Sequence, residues 1–188
     1  MSEDIKLGVP YEFQLNSETS QGDRMCFTST ISMAAAFLRP DLFKAGNGQR
    51  DDQWLRVVNR FGDTTSSTAQ IAALRSRGIN AQFRIDGSVS KILATLEKGL
   101  PAAVGWLHNG PVEAPRGGGH WSLVVGTPKI RGLGLLFHDP NGEADLVNGG
   151  YVSNGPTAGR FVRYSVKNWA PRWEVEGPGT GWWVDFGV

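Results

Sequence analysis

Cys26 is the only cysteine in the chain, and it lies where an apolar, helix-like pattern begins. Apolar residues follow it at helical spacing, among them Phe27, Ile31 and Leu38, and Pro40 ends the run. A thiol in the first turn of a helix lies near the positive end of the helix dipole, which favours the thiolate. The position therefore predicts a nucleophile, although a lone cysteine can also be a small apolar core residue.

His120 and Asp139 are candidates for a base and for the group that orients it. His120 follows three glycines and opens an apolar strand, and Asp139 ends the next strand pattern along the chain. Neighbouring antiparallel strands can bring these side chains within hydrogen-bond distance, where a carboxylate would orient an imidazole. Asp139 can also be read as an Asp-Pro turn residue. His108, in a loop, is an alternative base, whereas His138 alternates away from the turn.

These three residue types together predict nucleophilic acyl chemistry. A thiol needs a base, and the base needs an orienting group. The carbonyl oxygen under attack needs a hydrogen-bond donor as its negative charge develops. A glutamine upstream of Cys26 can supply that donor, and both Gln14 and Gln21 are available.

The overall composition excludes several other classes of protein. The 188 residues carry a net charge of +1 with 20% charged and 40% hydrophobic residues, which argues against a nucleic-acid binder that works through its overall field. One cysteine excludes a disulfide framework and a zinc site built on several thiolates. The sequence shows neither a secretory signal nor an apolar run long enough to span a bilayer. We therefore expect a cytoplasmic protein, or one that reaches a cell wall by a separate release route.

Metal and cofactor sites find no support in the sequence. Asp139, Asn141 and Glu143 suggest a calcium loop, but Ala144 stands where such a loop needs glycine and Gly150 where it needs glutamate. The three histidines fit no metal-ligand spacing, and the glycines near residue 133 lack the rest of a dinucleotide fingerprint. We expect neither a metal nor a cofactor.

The order of the predicted elements indicates the fold class. The patterns predict helices at 26–38, 51–61, from Ser67 or Thr68 to 77, around 92–96 and at 165–169, and strands at 79–85, 100–107, 120–125, 134–138, 161–164 and 181–186. Helices dominate the first half and strands the second. This order predicts an α+β domain spanning residues 1–188, with the N-terminal helices on one side of a C-terminal antiparallel sheet.

Four blocks of sequence, in order, resemble papain-like cysteine peptidases, in particular the bacteriocin-processing (double-glycine) branch. They are Val9-Pro-Tyr-Glu-Phe-Gln14 with Cys26, Ser29 and Met33 after it, the stretch 96–106, Gly119-His-Trp-Ser-Leu-Val-Val-Gly126, and Phe137-His-Asp-Pro-Asn-Gly142. The blocks cover most of residues 5–145. They are specific for the superfamily and do not identify a substrate.

The resemblance implies a role for each matching residue. Cys26 would be the nucleophile, His120 the general base and later the acid, and Asp139 the orienting group. Gln14 matches the lead strand of the family and is the preferred oxyanion donor. Gln21, which is closer to Cys26, has the shorter spacing of the processing peptidases and is the second choice.

The resemblance also implies contacts with substrate at Phe27, Gly119 and Trp121. Many members of the family have glycine where this chain has Phe27, so the subsite beside the nucleophile is expected to differ in shape. The implied substrate is a protein, a propeptide or a peptidoglycan peptide cleaved as by a small phage-type lysin, with no nucleic-acid partner. The alternatives are a catalytically inactive papain-like module that binds peptide or glycan and, less favoured, an acyltransferase. The sequence predicts no oligomeric state.

Overall fold

The computed structural model describes residues 4–128 and 133–188. The helices are α1 (Cys26–Leu38), α2 (Arg50–Val58), α3 (Ser67–Ser76), α4 (Val89–Glu97) and α5 (Val166–Trp173). The strands are β1 (Ile5–Lys6), β2 (Gln82–Gly87), β3 (Ala102–Trp106), β4 (His120–Thr127), β5 (Gly134–His138), β6 (Glu143–Ala144), β7 (Tyr151–Ser153), β8 (Arg160–Ser165) and β9 (Gly181–Asp185). Short 3₁₀ turns lie at Gln14–Asn16, Gly22–Arg24 and Pro40–Leu42. Within the described ranges, no helix combines the length and the apolar character that crossing a membrane requires.

An antiparallel sheet lies at the centre of the fold. Its strands lie in the order β2, β9, β3, β4, β5, β8, and β1 pairs with the end of β4. His120, the first residue of β4, lies opposite Trp106 at the end of β3. Because β4 and β5 are antiparallel neighbours, the start of β4 and the end of β5 lie at the same edge of the sheet. The α+β prediction, with the N-terminal helices packed on an antiparallel sheet, is confirmed.

Helices cover both faces of the sheet: α1, α2 and α3 lie on one face, as predicted, whereas α4 and α5 lie on the other face, which the sequence analysis did not predict. Leu123 and Val125 of β4 pack in a core with α1, α2 and α3, whereas Val124, between them, packs in a second core with α4 and α5. Alternate residues of a strand point to opposite faces, so three consecutive apolar residues need cover on both. The sheet therefore forms the middle layer of three.

Serine side chains begin three of these helices. Ser66, Ser88 and Ser165 each accept a hydrogen bond from the backbone N–H three residues ahead. Ser165 caps the helix that was predicted to begin at 165, whereas the cap of α3, Ser66, lies one residue before the predicted start at Ser67 or Thr68. Helix α2 ends at Val58 rather than at 61, and α5 continues to Trp173 rather than ending at 169, because buried residues of its last turn pack in the second core.

The strand boundaries also differ from the predictions by a few residues. Strand β2 covers Gln82–Gly87 rather than 79–85, and β3 covers Ala102–Trp106 rather than 100–107. The stretch between the predicted strands at 134–138 and 161–164 contains the small hairpin of β6 and β7, which sequence analysis missed. Between the predicted strands at 120–125 and 134–138, residues 129–132 lie outside the described residues.

A buried arginine holds the loop at 107–110 in place. The side chain of Arg172, on α5, is fully buried. Its Nε donates to the carbonyl of Leu146 at 2.8 Å, and its two Nη atoms donate to the carbonyls of Leu107, Asn109 and Gly110 at 3.1, 3.3 and 2.7 Å. One guanidinium thus joins α5, the loop after β3 and the loop before β7. The loop after β3 carries His108, and this arginine fixes it next to the candidate site.

Candidate active site

Cys26 is the first residue of α1, and its thiol is free and partly exposed. The next ten residues of the helix are buried, so the body of α1 is embedded in the core. The backbone N–H of Ser29 donates to the carbonyl of Met25 at 2.8 Å and closes the first turn. The fold therefore fixes the helix firmly while its first side chain remains accessible.

His120 and Asp139 lie beside Cys26, at the edge where β4 begins and β5 ends. His120 Nε2 lies 2.7 Å from Asp139 Oδ1, and the two residues are 3% and 0% exposed. The Cys26 thiol interacts with the same imidazole ring. Because Nε2 is occupied by Asp139, Nδ1 is the nitrogen that is left for the thiol. The structure thus brings these three sequence-predicted residues together.

Asp139 is held in one orientation by further hydrogen bonds. Its Oδ1 accepts a second hydrogen bond from the backbone N–H of Asn141 at 3.1 Å. Its Oδ2 accepts from the Tyr164 hydroxyl at 2.9 Å. The turn reading of Asp139 is thus also correct, because one carboxylate both caps its own turn and contacts His120. Sequence analysis missed Tyr164, which lies in a strand and shows no local motif.

The carboxylate determines the charge state of His120. Burial alone would lower the pKa of the ring, but the charge and the hydrogen bond of Asp139, with a smaller effect of Cys26, raise the pKa of His120 to about 10. The imidazole is therefore protonated at neutral pH. An imidazolium in this position can donate a proton to a leaving group.

Three aromatic rings enclose His120 and keep water from the pair. Trp106 packs edge-on against it with ring centroids 5.4 Å apart, Tyr151 does so at 5.8 Å, and the ring of His108 lies at 5.4 Å. The Tyr151 phenol stays neutral, because burial and the nearby Asp139 carboxylate raise its pKa. Exclusion of water strengthens the attraction between imidazolium and carboxylate.

His108 therefore lies next to the candidate base. Burial, together with the charge of His120, lowers the pKa of His108 to about 4, so His108 is neutral at neutral pH. The charges of His120, Asp139 and Arg172 act on the His108 ring. The hydrogen bond to Asp139 belongs to His120, which favours His120 over His108 as the base.

His138 has a structural role away from this edge. Its Nε2 lies 2.9 Å from the carbonyl of Val9, and its Nδ1 accepts from the backbone N–H of Phe161 at 3.1 Å. Burial lowers its pKa to about 4. The side chain joins the N-terminal segment to β5 and β8, in agreement with the alternation read from the sequence.

The two candidate oxyanion glutamines lie in different surroundings. Gln14 is 2% exposed, its Nε2 donates to the carbonyl of Gly22 at 2.9 Å, and its backbone N–H donates to the carbonyl of Pro140 at 2.9 Å. It therefore connects the turn after Asp139 to the segment that leads into Cys26. Gln21 lies in a surface network, where its Oε1 accepts from Arg24 at 2.9 Å. Gln14 is thus part of the buried frame around the site, whereas Gln21 is not.

The predicted substrate contacts border a cleft of about 350 Å³ that includes Cys26. Trp121 and Gly119 line it, on either side of His120 in the sequence. Phe27 also borders the cleft but is only 1% exposed, because its ring stacks on Trp121 with centroids 3.7 Å apart. A larger cavity, of about 530 Å³, lies between α1 and α2 beside Pro10 and Gln53, and none of the candidate site residues lines it.

The described part of the chain contains no group of three or more His, Cys, Asp or Glu side chains arranged to hold a metal ion. Asp139, the first residue of the calcium-loop pattern that the sequence analysis rejected, uses both carboxylate oxygens for hydrogen bonds inside the protein. The three histidines do not converge, since His138 points to Val9 instead. The chemistry available here is that of a thiol, an imidazole and a carboxylate.

Comparison with known proteins identifies the fold. The sequence matches no protein-family model, and no curated protein matches it. Among solved structures, the chain is similar to a Bacillus anthracis protein described as a candidate C39-like peptidase, with a TM-score of 0.53 over 97% of each chain at 12% sequence identity. The chain therefore shares its α+β fold, helices packed on an antiparallel sheet, with that protein. At this identity the likeness establishes the fold alone.

Proposed function

We propose that the chain is a cysteine peptidase that cleaves amide bonds through an acyl-enzyme intermediate. The observation that carries the proposal is the buried 2.7 Å contact between His120 Nε2 and Asp139 Oδ1, on an imidazole that also contacts Cys26 at the start of α1. The peptidase fold of the structural neighbour supports it. We propose that residues 1–188 act as one catalytic domain.

In the first step, His120 holds the proton of the Cys26 thiol, and Cys26 Sγ attacks the carbonyl carbon of the scissile amide and forms a C–S bond. The carbonyl oxygen takes the electron pair and becomes an oxyanion. We propose two donors for it: an unpaired N–H in the first turn of α1, and the amide hydrogen of Gln14 that is not donated to Gly22.

In the second step, His120 donates its proton to the amide nitrogen, the C–N bond breaks and the amine leaves. The acyl group remains on Cys26 as a thioester. A water molecule then attacks the thioester while His120 accepts a proton from it, which releases a carboxylic acid and restores the thiol–imidazole pair. Throughout, Asp139 keeps the ring in one orientation and stabilises its charge.

Phe27 does not favour the alternative of an inactive binding module. The side chain replaces the glycine of many relatives, but it lies beneath Trp121 and leaves Cys26 partly exposed. The nucleophile therefore remains open to a substrate. Binding without catalysis becomes the conclusion only if the thiol proves unreactive.

A thiol-directed probe tests the proposal. Iodoacetamide labelling of wild type, His120→Ala and Cys26→Ala would be followed by mass spectrometry between about pH 4 and 9. We expect fast labelling of wild type near pH 6 and much slower labelling of His120→Ala. Cys26→Ala, which has no thiol, should not be labelled at all. Slow labelling of wild type that rises only near the pKa of an ordinary thiol, about 8.5, would contradict the proposal.

A second assay separates the two substrate classes. Purified bacterial cell walls and casein would each be incubated with wild type and with Cys26→Ala. Cys26-dependent release of peptides from only one of them assigns the class. An added amine that captures the acyl group faster than water does would instead indicate an acyltransferase.

A further inference from the structure

The cavity between α1 and α2 is a second concave site, apart from the cleft at Cys26. Its volume is about 530 Å³, which is within the range of small-molecule sites. None of the residues that line it lines the cleft at Cys26. Ala36, on its wall, follows Cys26 on α1 by ten residues, which corresponds to about 15 Å along the helix axis.

The wall of this cavity combines apolar with polar side chains. Its apolar members are Pro10, Ala36, Pro40, Phe43 and Ala45. Its polar members are Glu12, Lys44, Gln49, Arg50 and Gln53. Sites for small molecules in proteins typically have apolar walls and a few polar groups that orient the ligand.

Hydrogen bonds from α2 hold the loop that forms one side of the cavity. Gln53 Nε2 donates to the carbonyls of Lys44 and Gly48, each at 3.0 Å, and its Oε1 accepts from the backbone N–H of Lys44 at 3.0 Å. Arg56 Nη2 donates to the carbonyl of Asn47 at 2.9 Å. The loop is therefore preformed, and both amide hydrogens of Gln53 are used to hold it.

Two buried donor atoms at this cavity have no hydrogen-bond partner among the described residues. They are Gln49 Nε2 and Arg50 Nε. Gln49 stands at the cap position of α2, but its side chain does not cap the helix. Both side chains are partly exposed, so a small rotation turns these atoms toward a ligand. Because a buried N–H without an acceptor is costly, the two atoms indicate a ligand that accepts hydrogen bonds.

The charges of the lining favour an anion with a single negative charge. Glu12 is the only acid among the described residues that line the cavity, and it accepts hydrogen bonds from Arg50 Nη2 at 2.6 Å and from the Arg50 backbone. Lys44 and Arg50 therefore leave the lining with one net positive charge. A carboxylate matches that charge, whereas a phosphate group with about two negative charges would exceed it.

We propose that this cavity binds a small carboxylate with an apolar body, either a free acid or the last residue of a peptide. Gln49 and Arg50 donate to the carboxylate oxygens, and Lys44 adds an opposite charge at the rim. The apolar body packs against Pro40 and Phe43. The site is separate from Cys26 and does not depend on the proposed peptidase chemistry.

An NMR titration tests the site. Backbone amide spectra of the wild-type protein would be recorded with N-acetyl-leucine and with its uncharged amide, N-acetyl-leucinamide. A third ligand, acetyl-Ala-Ala-Leu, has its only carboxylate at the C-terminus and would be titrated into Cys26→Ala, so that it is not cleaved. Shifted resonances at Gly48 and Arg50 would locate each ligand, and their saturation would give its Kd.

Three variants connect the binding to the lining. Gln49→Ala removes a donor that the helix does not use as a cap. Lys44→Gln removes the exposed charge at the rim. Lys167→Gln is the matched control, because Lys167 is an exposed lysine of α5 that does not line the cavity. The same spectra show whether each variant is folded.

We expect N-acetyl-leucine to bind about tenfold or more tightly than its amide, because a carboxylate gains charge-assisted hydrogen bonds. Gln49→Ala should weaken its binding about tenfold and Lys44→Gln about threefold, whereas Lys167→Gln should match wild type. Tighter binding of the tripeptide than of N-acetyl-leucine would assign the site to peptide C-termini, and equal or weaker binding would assign it to free acids.

Several results would overturn the inference and leave the peptidase proposal standing. They are the absence of saturable shifts with both acids, equal binding of N-acetyl-leucine and its amide, and shifts confined to residues around Cys26. Binding to Gln49→Ala with the wild-type Kd would also overturn it. The peptidase proposal fails on a different observation, the slow labelling of Cys26 described above.

Discussion

The two halves of the candidate site are built in opposite ways. On the sheet side, His120 and Asp139 are buried, and both carboxylate oxygens of Asp139 accept hydrogen bonds. On the helix side, Cys26 is partly exposed, and Arg24, two residues before it, pairs with Asp63 at 3.0 Å with side chains 47% and 50% exposed. One half is closed to water and the other is open to it.

This difference determines where electrostatic interactions can be strong. Charges attract each other more strongly in a buried site, and salt screens them less there. An exposed ion pair contributes little, because water and salt weaken it. The sheet half therefore sets the charge state of His120, while the helix half leaves Cys26 accessible.

The largest effect should come from breaking the buried half. Asp139→Asn removes the charge that raises the pKa of His120 and can also favour the wrong ring orientation. We expect hydrolysis of whichever substrate the cell-wall and casein assay identifies to fall by about 10³-fold or more, measured as kcat/KM. Asp63→Asn, on the exposed half, is the matched control and should stay within about threefold of wild type. Similar losses in both variants would contradict the comparison.

The same variant should change how stability depends on pH. Since the pKa of His120 is raised to about 10, its contribution to the free energy of unfolding is complete below about pH 6.5 and is lost as the pH rises through 10. Urea unfolding of wild type should therefore show a decline over this range that Asp139→Asn lacks. An equally steep decline in the variant would show that another group titrates.

The choice between the two glutamines sharpens the comparison. Gln14 is buried against the loop that leads into Cys26, whereas Gln21 is tied to Arg24 at the surface. We expect Gln14→Ala to lower kcat about 10²–10³-fold, as loss of an oxyanion donor does, and Gln21→Ala to lower it less than about threefold. A larger loss of kcat in Gln21→Ala than in Gln14→Ala would assign the oxyanion donor to Gln21 instead.

The smallest effects concern stability, and two arginines provide a matched pair. Arg172→Met leaves four carbonyls without their donor, so we expect the free energy of unfolding to fall by about 3 kcal/mol or more. Arg24→Met breaks an exposed ion pair and should cost less than about 1 kcal/mol. Urea unfolding measures both. Equal losses in the two variants would mean that burial does not make the contacts of Arg172 stronger than those of Arg24.

Sequence reasoning predicted the elements that position the site and the residues that the structure brings together. Cys26 opens a helix, and His120 and Asp139 lie at the ends of neighbouring strands, because these features depend on local periodicity and on turn residues. The roles of these residues, and the choice of Gln14, stay predictions that the experiments above address.

The features that sequence reasoning missed depend on contacts between distant segments. Tyr164 holds Asp139 from a strand 25 positions away, and Arg172 holds carbonyls 26 to 65 positions away. Neither residue stands in a local motif. The second helical layer did have a signal in the apolar run at 123–125, but a short apolar run alone does not tell which helices cover it.

The single thiol also bears on oxidation. A partly exposed cysteine side chain is open to peroxide, which can convert it to a sulfenic acid. A sulfenic acid is usually rescued by a nearby second thiol that forms a disulfide, and these 188 residues contain no second cysteine. Recovery from the first oxidation step would therefore depend on a small-molecule thiol that enters through the same cleft as the substrate.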